Sequence, residues 1–179
     1  STPKPSSAAS DVYKRQRYYL NGIYLHTANR DGIPLLRAVA TDGHRLASVD
    51  TPLPAAAAAI PGVIVPRKAV TELRKLIDES SNEVTIGLSE TKIQFSFDDA
   101  VLTSKLIDGT FPDYQRVIPN DNDKELTVDR QLFIDAVGRV SAISSEKSSA
   151  VKLTLAKGTL VLSSSSTEHG SATEELEVN

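Results

Sequence analysis

From residue 17 onward the chain is patterned as a β-rich protein interrupted by two helical stripes. Residues 18–27 read as a strand of aromatic and β-branched residues, closed by the turn signal Asn29-Arg30-Asp31-Gly32. A second strand is predicted over 35–40, a tight turn at Asp42-Gly43, and a third strand over 44–49. An Ala/Pro loop follows over 52–61, its flanking prolines arguing against a helix. Ile64-Val65 then enters a predicted helix over 66–80, with Pro66 in its first turn. Val70, Leu73, Leu76 and Ile77 form its apolar stripe. Strand-like runs at 83–88, 92–97 and 101–107 come next, with Asp98-Asp99 turning between the last two.

The same order then starts again. Leu126-Thr127-Val128 predicts a short strand and Asp129 an N-cap. Leu132, Phe133, Ala136, Val137, Val140 and Ile143 make a second helical stripe. Strands are expected over 151–155, 159–163 and 173–178, with Lys157-Gly158 as a hairpin turn. Strand–helix–strand–strand–strand thus occurs twice, the second copy roughly 65 residues after the first. Helices do not alternate strictly with strands, so the expected class is α+β with antiparallel sheets.

Composition sharpens this only in places. Residues 1–16 are rich in Ser, Ala and Pro without periodicity, which predicts a disordered or foreign leader. They lack the apolar core of a signal peptide. The absence of Met and Trp points to a fragment or a processed product. No apolar run approaches the ~18 residues a membrane helix needs, so no membrane role is expected. Cysteine is absent as well, which removes disulfides and thiolate chemistry and fits a reducing cytoplasm. The net charge of −3 argues against nucleic acid unless cations gather on one face.

They do gather. Opposite the first apolar stripe lie Arg67, Lys68, Thr71, Arg74, Lys75 and Asp78. An ordinary solvated face has the same pattern, but cations at a helix N-terminus oppose the macrodipole and ask for an anionic partner. Catalysis has little to build on. No nucleophile elbow, phosphate loop or dinucleotide fingerprint occurs, and His26, His44 and His169 are too scattered for a zinc site. No catalytic residue, metal or cofactor is therefore assigned.

Four stretches taken together are specific: RYYLNG from Arg17, VATDGHRLA ending at Ala47, VPRKAV from Val65, and TSKLIDGTFPDYQRVIP from Thr103. In this order and spacing the chain resembles the bacterial DNA polymerase III β subunits, the sliding clamps. The resemblance implies a DNA clamp fold, with helices lining a ring and antiparallel sheets outside. It divides the chain into 17–120, a central clamp domain lacking its first helix, and 121–179, the first half of a C-terminal clamp domain. It implies a non-enzymatic processivity factor of the replicative polymerase. Such a ring encircles duplex DNA without sequence specificity and closes as a head-to-tail homodimer. Its partners would be the polymerase α subunit, the clamp loader and other proteins carrying a clamp-binding motif.

Carried over residue by residue, the resemblance places a peptide pocket on Leu20, Thr41, Gly43, His44, Arg45, Leu46, Pro112, Arg116 and Val117. Leu20, Leu46, Pro112 and Val117 would supply apolar walls. His44, Arg45 and Arg116 would bond an extended peptide or its acidic groups. DNA contacts fall on Arg17, Tyr18, Tyr19, Arg67, Lys68 and Lys75, and a dimer contact on Ala142 and Ile143. The alternative from another class is a structural α+β module with no DNA role, whose basic helix face is merely hydrated.

Overall fold

The computed structural model describes residues 18–77, 83–97, 99–144 and 150–179. The leader 1–16, Arg17, Asp78 and Asp98 lie outside the described residues. The fold is α+β with antiparallel sheets, and the chain divides into two compact units, Ser1–Val117 and Ile118–Asn179.

The first unit is organised by a four-stranded sheet of order β3-β2-β1-β4, made of β1 (Gly22–Arg30), β2 (Ile33–Thr41), β3 (Leu46–Pro52) and β4 (Val63–Pro66). Asp31 and Gly32 join β1 to β2 with φ of 54° and 82°. Two successive left-handed residues match the twist of a tight hairpin, and Asp-Gly is a favoured pair for it. That turn sets Arg30 opposite Ile33 and, along the ladder, His26 opposite Arg37. A ten-residue helix, α1 (Arg67–Leu76), follows β4 directly, and a three-stranded sheet of β5 (Thr85–Leu88), β6 (Lys92–Phe97) and β7 (Ala100–Lys105) completes the module.

Side chains alternate across the first sheet, so its two faces do different jobs. Val63, Val65 and Leu25 face a core shared with Ala69 of α1 and with Ile93, Phe95 and Phe97 of β6. Val39 and Ile64 point the other way, into a second cluster with Ile107, Phe111 and Tyr114. The chain after β7 reaches that face through one bridge, in which the Ile107 N–H donates to the Ile64 carbonyl at 2.9 Å. Full burial of a side chain such as Ile93 contributes about 1.5–3 kcal/mol.

The second unit repeats the theme more simply. Helix α2 (Arg130–Ser141) covers a meander of β8 (Lys152–Ala156), β9 (Thr159–Ser166) and β10 (Gly170–Glu177), in the order β10-β9-β8. Its core is Ala136, Val140, Leu160, Leu162 and Val178. The Asp129 carboxylate accepts from the Leu132 amide at 2.9 Å, closing the helix N-terminus as its position in the sequence predicts.

Several sequence expectations are corrected. Tyr18–Asn21 is a 3-10 turn and not the start of a strand; Tyr19 is used for packing against the Val39–Tyr114 cluster. Val63–Pro66 is a strand, and Pro66 sits extended at the N-cap, one residue before the helix. The third strand begins at Leu46, which leaves His44 and Arg45 in the turn. Leu76 and Leu132 are 49% and 56% exposed, because each lies at the edge of its stripe. Ala69 takes the buried place on α1 instead. Residues 126–128 form no strand: Thr127 exchanges two backbone bonds with Asn179, at 3.0 and 3.3 Å, and the pairing extends no further.

Candidate functional site

The turn between β2 and β3 is built by side chains bonding to backbone. The Asp42 carboxylate accepts from the amides of both His44 and Arg45 at 2.9 Å. Those two amides hold the Asp42 carboxyl below the usual carboxylate range. The Thr41 hydroxyl donates to the Arg45 carbonyl at 2.8 Å and accepts from the Gly43 amide at 3.1 Å. Gly43 has φ of 87°, a conformation costly for any residue with a Cβ. The result is a self-bonded tip that holds His44 and Arg45 out in solvent, with Leu46 half-buried behind them.

The second predicted stretch comes back to the same face of the sheet. Phe111 and Tyr114 are buried in the cluster against which Leu46 and Tyr19 pack. Tyr114 is the only buried residue of the 3-10 turn Tyr114–Val117, so it anchors the segment that carries Arg116 and Val117. Pro112 is exposed beside Phe111, and Val117 is 72% exposed. Leu46 and the Pro112-to-Val117 segment are thus joined through one aromatic cluster, although more than sixty positions separate them in sequence. Leu20 is half-buried in the turn that also carries Tyr19. Two cations flank the arrangement. Arg45 pairs with Asp42 and Arg116 with Asp113, each at 3.0 Å and each largely hydrated, so both guanidiniums can be drawn away at little cost.

Beneath this surface runs a network that residue type alone does not single out. His26 stacks on Tyr24 with ring centroids 4.5 Å apart, and Tyr24 stacks on Phe111 at 4.8 Å. His26 Nε2 lies 2.9 Å from the Tyr114 hydroxyl, and Arg37 Nη1 donates to that hydroxyl at 3.4 Å. Arg37 also grips Asp50 with two bonds, at 2.6 and 3.0 Å, and Arg30 donates to the same carboxylate. The Arg37 guanidinium holds the Asp50 carboxyl below its ordinary range. The Asp31-Gly32 hairpin implies the His26–Arg37 register, and that register is the sequence signal for this network.

The predicted DNA contacts divide between two places. Tyr18, Asn21, Pro66, Arg67, Lys68, Thr71, Glu72 and Ile107 line one open groove at the N-terminus of α1, which sets one carboxylate beside the two cations. Pro66 makes no side-chain cap and the first turn contains no acidic residue, so the helix amides there stay available to an anion. Lys75 lies at the other end of the helix, paired with Glu72 at 3.1 Å. Tyr19 is half-buried against the aromatic cluster and does not line this groove. In the second unit, Ala142 is exposed as the C-cap of α2 and Ile143 is half-buried beyond it. Among the described residues no group of three or more His, Asp or Glu gathers to hold a metal ion. No helix among them is long and apolar enough to cross a membrane.

Comparison with known proteins shows the family of the chain. Residues 7–113 match the model of the DNA polymerase III β subunit central domain, and residues 115–179 that of its C-terminal domain. The first match begins ahead of residue 17, where composition sets the boundary. A β sliding clamp of Caulobacter vibrioides is 54% identical over 163 residues, covering 91% of this chain and 44% of that protein. The Escherichia coli β sliding clamp is 38% identical over 175 residues, with 97% and 45% covered. The crystal structure of a Bartonella birtlesii sliding clamp bound to griselimycin superposes with a TM-score of 0.84 at 55% identity, covering 92% of this chain and 44% of that one. The chain therefore spans less than half the length of the relatives it matches.

Proposed function

The chain belongs to the family of bacterial DNA polymerase III β subunits, and from that premise we propose that it works as part of a sliding clamp. In this reading it catalyses nothing. It contributes to a homodimeric ring around duplex DNA in the cytoplasm and tethers the replicative polymerase, the clamp loader and other motif-bearing partners through a peptide notch. Leu20, Thr41, Gly43, His44, Arg45, Leu46, Pro112, Arg116 and Val117 form the notch. Tyr18, Arg67 and Lys68 meet phosphates at the open end of α1, with Arg17, Tyr19 and Lys75 as further contacts. Ala142 and Ile143 belong to the dimer contact. The domains run 17–120 and 121–179.

One observation carries the tethering role: Leu46 packs on the same aromatic cluster that anchors the segment from Pro112 to Val117. An apolar wall and two loosely held arginines then stand at one end of one sheet face. Two buried anchors, a leucine and a phenylalanine, would contribute roughly 3–6 kcal/mol before ordering costs. On their own these anchors reach roughly the millimolar to tens-of-micromolar range, which suits partners that exchange.

Fluorescence anisotropy of a labelled pentapeptide ending in Leu-Phe, titrated with the chain, tests this. Saturable binding is expected, and Leu46→Ala combined with Pro112→Ala should weaken it at least roughly tenfold, the scale of one lost anchor. Binding that is absent at millimolar protein, or indifferent to both substitutions, contradicts the proposal.

A further inference from the structure

His26 lies behind the notch and touches neither its rim nor solvent freely, yet it is bonded at both ring nitrogens. Nδ1 is 2.7 Å from the Thr27 carbonyl, which can only accept, so Nδ1 carries the proton. Nε2 of a neutral ring is then an acceptor, and the Tyr114 hydroxyl donates to it at 2.9 Å. That donation leaves the Tyr114 oxygen free to accept from Arg37. Tyr114 is 5% exposed and is the one buried anchor of the turn bearing Arg116 and Val117.

We propose that His26 is the positioning residue of the peptide notch: its neutral imidazole, by accepting the Tyr114 hydroxyl proton, sets the place of the Pro112–Val117 wall, and protonation of the ring loosens that wall. The inference rests on the notch being a peptide site. With both ring nitrogens donating, the Tyr114 oxygen faces two cationic donors and its own buried proton loses its acceptor. The charged and titratable groups around the ring are Tyr24 and Arg30 on its own strand, Arg37 on β2, Asp50 on β3 and Tyr114 on the facing turn. Asp50 would draw the imidazolium, but Arg37 and Arg30 already occupy both of its oxygens. The new positive charge therefore gains little.

The test follows binding of the labelled pentapeptide across a span of about pH 8 to about pH 5.5. Wild-type affinity should fall roughly three- to tenfold on acidification, the scale of one buried hydrogen bond. His26→Gln, which keeps a carbonyl acceptor and cannot titrate, should match wild type at the alkaline end and stay flat. His44→Gln should keep the fall. A fall that survives His26→Gln, or vanishes in His44→Gln, overturns the proposal. Methyl and imidazole NMR of the chain without peptide reads the positional link separately. The Val117 methyls should follow the His26 titration in wild type and not in Tyr114→Phe, and methyls that ignore it overturn the link. Methyls that do follow it, with no peptide bound at any pH, support the link and reject the notch as a peptide site.

Discussion

The two α-helices among the described residues occupy equivalent places in a repeated module and have opposite N-termini. Helix α2 is closed by its own Asp129, whose carboxylate takes the Leu132 amide. Helix α1 begins after Pro66, has no side-chain cap, and places Arg67 and Lys68 in its first turn. Stability favours the first arrangement, because a capping carboxylate satisfies an orphan donor and complements the dipole. The second leaves amides and cations facing a groove that Tyr18 helps to line. A capped helix end satisfies its own donors, whereas an open one leaves them for an anion, which is the role the proposed DNA contact gives α1.

The largest expected effects should be the same in both modules, since their cores are built alike. Ile93→Ala in the first unit and Leu162→Ala in the second should each lower unfolding free energy by about 2–5 kcal/mol. Leu76→Ala and Leu132→Ala, on half-exposed residues, should cost far less. Chemical denaturation measures all four, and a large loss at Leu76 or Leu132 would undo the assignment of the helix faces.

DNA binding separates the modules next. If about four phosphates are neutralised, log K for duplex DNA should fall against log salt with a slope near −3.6. The Arg67→Ala, Lys68→Ala double variant should reduce that magnitude by about 1.8, at about 0.9 per contact. An unchanged slope would make the open helix end a hydrated face and nothing more. Capping behaves oppositely at the two ends. Asp129→Ala should cost about 1 kcal/mol. Pro66→Asp, which supplies α1 with a cap, should raise the melting temperature while weakening DNA binding. A gain in both would break the trade between stability and anion capture.

The smallest effect is one of pH. Arg139 of α2 holds the Glu174 carboxyl of β10 below its ordinary range through paired hydrogen bonds, one of them 3.0 Å. A carboxyl whose folded pKa is lowered contributes stability that is complete above its unfolded pKa and is lost as pH falls through the folded one. Acidification below about pH 4, the ordinary Glu range, should therefore erode the second unit, and Glu174→Gln should blunt that erosion. Thermal melts across this window check it.

Much of this architecture was legible because local chemistry and tertiary packing agree. The turn signal at Asn29-Arg30-Asp31-Gly32 marks the reversal between the first two strands, and Asp31-Gly32 closes it as a tight hairpin. Asp129 caps α2 because a short acceptor precedes an apolar stripe. Where packing overrules composition, the letters mislead. Tyr18, Tyr19 and Leu20 read as the start of a strand, yet they form a 3-10 turn from which Tyr19 packs against the cluster of Val39, Ile64, Ile107, Phe111 and Tyr114. Val63-Ile64-Val65 is too short for periodicity to tell strand from helix, and pairing with β1 decides it. The residues proposed for the rim of the notch are read from motif alone. Its support was not readable: His26, Arg37, Asp50 and Tyr114 acquire meaning only once three strands and a distant turn are brought together.

Methyl NMR of the chain during titration with the Leu-Phe pentapeptide tests the notch most directly. Leu46 and Val117 methyls should shift together and saturate at the same peptide concentration, while Val140 and Leu162 in the second unit stay still. Shifts confined to the groove beside Arg67, or a Leu46 signal that moves without Val117, would contradict a single site built from both segments.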